Sequence, residues 1–85
     1  MQTIGHFIQG QTSHSGSRSG EVFNPALGQA VRQVDLGSAD TVAQAVAAAN
    51  AAFPAWSAQS PLSRARVMFR FKELLEQHRE QLARI

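Results

Sequence analysis

The sequence predicts an α/β fold in which short β-strands, including a hairpin, lead into two helices arranged as an αα-hairpin. Three observations carry that expectation. Residues 61–85 place Val67, Met68, Phe71, Leu74, Leu75, Leu82 and Ile85 at the spacing of one helical stripe. Val42, Ala45, Val46, Ala49, Ala52 and Phe53 repeat that period in an alanine-rich stretch. Upstream of Gly37, β-favouring residues occur in short runs separated by Gly, Ser, Asn and Pro, the punctuation of strands and turns.

Taken in order, the strands are expected over about 4–36. Ile4, Phe7 and Ile8 in IGHFIQ form a first strand to Gln9, with Gly10 as the turn. Gln11–Gly20, QTSHSGSRSG, has almost nothing apolar to bury and reads as a mobile, solvated loop or hairpin tip. GEVFNP is the second strand, the Pro25 and Gly28 of NPALGQ supply reversal chemistry, and Ala30–Leu36 returns. That returning strand alternates imperfectly, because Val31, Val34 and Leu36 do not share one face of a period-2 pattern.

The first helix is expected over about 39–53. Ser38 serves as its cap, Asp40 sits in the first turn where the helix dipole favours an acid, and Pro54 ends it. PAWSAQ then makes the bend, with Phe53 and Trp56 as its apolar plug. The second helix is expected over about 61–85, opened by Ser60 as N-cap and Pro61 at the first helical position. It would span roughly 37 Å at the α-helical rise, and its apolar face is broad enough to need cover on more than one side. No Gly, Asn or Pro closes it, so the helix is expected to continue past Ile85.

Composition narrows the function classes. A chain of 85 residues buries only about 60% of its unfolded surface, and much of its apolar fraction is small alanine. The absence of cysteine removes disulfides, thiolate metal sites and a thiol nucleophile. No segment approaches the roughly 20 apolar residues of a membrane span. Net charge is only +2, which gives little electrostatic reason to bind nucleic acid, and Arg64, Arg66 and Arg70 are followed closely by Glu73, Glu76 and Glu80. Glu80 and Arg84 form a supportive pair at i, i+4.

The three histidines, His6, His14 and His78, lie in different elements with no catalytic or metal-ligating spacing between them. Each is read as structural or solvated, and His78, on the apolar stripe, is the one expected to be partly buried. The glycines fit neither dinucleotide-binding nor phosphate-loop signatures. The residues alone therefore assign no chemistry: no catalytic, cofactor-binding or metal-ligating residue is proposed on this chain.

HFIQG, EVFNPALGQAV, the Ser/Asp-started alanine helix and AAFPAWSAQSPLSRARVMFRFKELLEQHREQLARI follow one another in an informative order. Together they resemble the amino-terminal region of an aldehyde dehydrogenase, in which FxxG, FNPATGE-like and FPAW-like segments occur in that sequence. FPAWSAQSPLSRARVMFRFKELLE is most similar to the CoA-acylating methylmalonate-semialdehyde dehydrogenases. Leu27 departs from the Thr usual in the NPATG turn, a local change.

The resemblance implies that residues 1–85 are the N-terminal part of a Rossmann-like NAD-binding domain, with the catalytic domain absent from this chain. It also implies NAD as cofactor, CoA as co-substrate, a small semialdehyde as substrate, a homo-oligomer, expected as a tetramer, and a cytoplasmic location. In that family a cysteine thiolate takes the aldehyde and the acyl group leaves as a thioester. None of those residues maps onto this chain, which on this reading is inactive alone. The competing expectations are another aldehyde dehydrogenase, a non-catalytic helical-hairpin interaction module, and an arginine-driven nucleic-acid binder.

Overall fold

The computed structural model describes residues 1–85, which divide into two compact units, Met1–Ala51 and Ala52–Ile85. The first unit holds five strands: β1 (Gln2–Ile4), β2 (His6–Ile8), β3 (Gln11–Ser13), β4 (Ser19–Asn24) and β5 (Gln29–Asp35). β5 is central in a three-stranded sheet, parallel to β1 and antiparallel to β4, while β2 and β3 form a separate antiparallel ribbon. Helix α1 (Ala39–Ala58) begins in this unit and runs into the second, which also contains α2 (Pro61–Gln77) and α3 (Arg79–Ala83).

The expected single first strand is instead two, broken at Gly5, and its halves belong to different sheets. Gly5 permits this because a Cβ there would lie only 2.5 Å from the Ser13 carbonyl oxygen, closer than any side chain tolerates. Part of the expected loop is also ordered as β3. Gln9 and Gly10 both have positive φ, 54° and 76°, which makes a two-residue turn of the type that matches strand twist and pairs His6 with Ser13. Main-chain hydrogen bonds build that ribbon, so its return strand needs no apolar side chains.

The second hairpin follows the sequence expectation. The Asn24 carbonyl accepts the Leu27 and Gly28 amides at 3.1 and 2.8 Å, the Asn24 side chain accepts the Ala26 amide at 2.9 Å, and Gly28 takes φ 64°. The imperfect alternation of β5 has a structural cause. Val22 pairs with Arg32 but Phe23 with Ala30, so Val31 is the extra residue of a β-bulge and the face pattern changes there.

Ser38 caps α1 as expected. Its hydroxyl accepts the Thr41 amide at 3.2 Å, and Thr41 Oγ1 accepts the Ser38 amide in return at 3.2 Å. The helix does not stop at Phe53, because Pro54 sits inside it and α1 continues to Ala58. Proline deprives the Asn50 carbonyl of one partner, but the surrounding alanines favour helix strongly enough to carry the chain through. Phe53 and Trp56 consequently lie on the helix itself, both exposed, and do not plug a bend.

Ser60 caps α2, accepting the Ser63 amide at 3.1 Å, with Pro61 opening the helix. The expected uninterrupted helix to residue 85 breaks at His78, whose φ of −104° and ψ of 18° leave the α region, and α3 resumes at Arg79. The His78 ring faces Gln81 Oε1 at 3.3 Å and is exposed, not partly buried as its place on the stripe suggested. The Glu80–Arg84 pair is not formed, since the helix ends at Ala83 and the last turn tightens. Arg70–Glu73 at 2.9 Å and Lys72–Glu76 at 3.7 Å are formed instead.

No apolar side chain is buried anywhere in the chain. Val42, Val46 and Phe53 of α1 and Val67, Phe69, Phe71 and Leu75 of α2 are exposed. The accessible surface is 7119 Å², against about 4,900 Å² for a self-sufficient fold of this mass. No helix is long and apolar enough to cross a membrane.

Candidate functional site

The one buried residue is polar. Asp35, 7% exposed, ends β5 and faces the segment after β3. Its Oδ2 accepts the Ser15 amide and its Oδ1 the Ser15 hydroxyl at 2.8 Å, and His6 Nε2 lies 3.4 Å from Oδ2. The Ser15 hydroxyl holds the Asp35 carboxyl below the usual aspartate range, against the opposing push of burial. The Ser15 amide, His6 and the Gly16 amide act in the same lowering direction.

A serine, a histidine and an aspartate thus meet, but not in the order that activates a nucleophile. Such a serine must give its proton to the histidine while the aspartate orients the far side of the ring. Here the Ser15 proton goes to the carboxylate, and His6 Nε2 is enclosed without a hydrogen-bond partner. His14 and His6 line one polar cleft with Ser15, Ser38 and Asp40, a proximity the linear spacing did not reveal. The Gln9–Gly10 turn was the available signal, since it sets His6 opposite Ser13. His78 lies in the second unit, and no three His, Asp or Glu side chains converge on one point. Of the three α2 arginines, Arg70 is ion-paired, while Arg64 keeps an enclosed Nε without a partner.

The strand-to-helix junction runs Asp35-Leu36-Gly37-Ser38, where Ser38 and Thr41 satisfy each other and Asp40 puts a negative charge in the first turn. Asp40 there places a like charge against any anion that approaches the first turn of α1. Of the glycines with positive φ, Gly10 and Gly28 lie in the two hairpin turns, and Gly16 lies in the segment that bonds Asp35.

Comparison with known proteins places the chain. The profile of the aldehyde dehydrogenase family matches residues 11–85. The chain belongs to that family. It is 42% identical over 85 residues to malonate-semialdehyde dehydrogenase of Pseudomonas aeruginosa, covering 100% of this chain and 17% of that protein. It is 40% identical to malonate-semialdehyde dehydrogenase 2 of Bacillus thuringiensis strain Al Hakam, covering 99% and 18%.

Among solved structures, the methylmalonate-semialdehyde dehydrogenase of Oceanimonas doudoroffii superposes with a TM-score of 0.97 at 57% identity, covering 99% of this chain and 17% of that one. A structure from Sinorhizobium meliloti, assigned as a methylmalonate-semialdehyde dehydrogenase and complexed with NAD, superposes at 0.95 with 40% identity and the same coverages. The α/β architecture of this family member is therefore that of the corresponding stretch of those enzymes. The chain spans about a sixth of the length of the relatives it matches.

Proposed function

We propose that this chain is the amino-terminal portion of an NAD-dependent, CoA-acylating dehydrogenase of malonate or methylmalonate semialdehyde. The observation that carries the reading is the likeness to the Oceanimonas enzyme, with a TM-score of 0.97 and 57% identity over 99% of the chain. On this reading residues 1–85 contribute scaffold to the NAD-binding domain, while NAD, CoA and semialdehyde are handled by residues outside them. The exposed faces of α1 and α2 support it, because they are surfaces that the remainder of such an enzyme would cover. The assembled protein would be a cytoplasmic homo-oligomer, a tetramer, with no nucleic-acid or membrane partner.

NADH formation from malonate and methylmalonate semialdehyde, with and without CoA, tests the proposal. The product of the complete reading frame is expected to form NADH in a CoA-dependent reaction, and the 85-residue chain to form none. Oxidation independent of CoA would point to another aldehyde dehydrogenase. A reading frame without a Cys-bearing dehydrogenase segment would remove the enzyme reading and leave a helical interaction module, for which the same exposed apolar faces would be the binding surface.

A further inference from the structure

Five polar contacts join residues 15–18 to the end of β5 and its connection to α1. The Ser15 amide and hydroxyl bond the Asp35 carboxylate, and the same hydroxyl lies 3.2 Å from the Leu36 carbonyl. The Leu36 amide donates to the Arg18 carbonyl at 3.0 Å, and Arg18 Nη2 donates to the Gly37 carbonyl at 3.1 Å. Every one of these bonds is polar, and no apolar side chain is buried beneath them. The segment itself is Ser-Gly-Ser-Arg, with Gly16 at φ 72°, so it has little intrinsic preference for this path. A chain of that composition stays ordered only while its hydrogen bonds hold, and the bonds to an ionised carboxylate are the strongest of them.

We propose that residues 15–18 are a releasable strap, fastened over the β5–α1 connection by the Asp35 carboxylate, and that neutralising this carboxylate frees the strap while the β4–β5 hairpin stays paired. The hairpin has its own ladder and turn, independent of Asp35's side chain. The charged and titratable groups around the fastening are His6 from β2, His14 and Arg18 from the strap side, and Asp40 from the first turn of α1. Of these, His6 favours the ionised carboxylate. Once released, the Leu36 amide and the Leu36 and Gly37 carbonyls lose their partners and become free to bond water or another extended segment.

Amide hydrogen exchange in the intact protein at neutral pH tests the strap, comparing wild type with Asp35→Asn and Ser15→Ala. Asp35→Asn is expected to speed exchange of the Ser15 and Leu36 amides by about tenfold or more, with residues 20–32 unchanged. Ser15→Ala should do the same by a smaller factor, since the Ser15 amide still reaches Asp35. In acid, wild type should come to match Asp35→Asn, once intrinsic exchange rates are corrected. Unchanged exchange at Ser15 and Leu36 in both variants overturns the proposal. If Asp35→Asn also opens residues 20–32, Ser15→Ala decides: loosening confined to the strap upholds the proposal, and loosening of the whole unit overturns it.

Discussion

Asp35 receives both the main-chain amide and the hydroxyl of Ser15, a residue 20 positions earlier in the chain. The pair joins a flexible-looking segment to the end of the central strand, and it does so through a carboxylate that is buried while the apolar side chains are not.

Stability should therefore fall in acid through Asp35. Its folded-state pKa is depressed below the ordinary value of 3.8, chiefly by the Ser15 hydroxyl, so the stabilisation is present above that value and lost as pH drops through the lower folded-state one. Thermal melts of the intact protein across the acid range should show a fall in Tm that Asp35→Asn abolishes. The same acid dependence in the Asn variant would assign it to other carboxylates.

Gly5→Ala should destabilise the first unit by about 1–3 kcal/mol, because the new methyl meets the Ser13 carbonyl and backbone must shift. Denaturant unfolding in the intact protein measures it. Gly10→Ala is the control for backbone strain alone, having positive φ but open space around the added carbon.

Ser60→Ala removes the hydroxyl that accepts the Ser63 amide and should cost about 1 kcal/mol. The same unfolding assay reads it. A loss within error would mean that α2 draws its start from Pro61 alone.

The isolated 85-residue chain should self-associate. Phe69 at 66% and Phe71 at 54% exposure stand on α2 with Phe53 and Val46 similarly uncovered on α1. Sedimentation velocity over a range of concentrations should show growing species and a broad melt; a monomer with a sharp cooperative transition would contradict this.

Local chemistry was readable from the sequence and non-local chemistry was not. Ser38 and Ser60 act on amides three residues on, and Asn24 and Gly28 act within one turn, so a short window contains both partners in each case. β3 escaped notice because Gln11, Thr12 and Ser13 pair through their backbones and carry no apolar signal. Pro54 misled because its cost falls on one helical bond, while helix preference is spread over the alanines around it. The Asp35 cluster depends on Ser15 and His6, brought together by two turns, and only the spatial arrangement shows that a Ser-rich stretch is fastened at its centre. The family resemblance, by contrast, was carried by whole segments and survived these local errors.

β1 contributes only Gln2, Thr3 and Ile4, yet it occupies one side of β5. Cutting the chain back past Ile4 would turn the central strand into an edge and leave a row of amides and carbonyls open to any extended peptide. A protein that lacks residues 1–4 should therefore fail by sticking to itself before it fails by unfolding. Light scattering of the trimmed and untrimmed forms at matched concentration would show the difference, and equal scattering would mean that three residues of parallel pairing protect nothing.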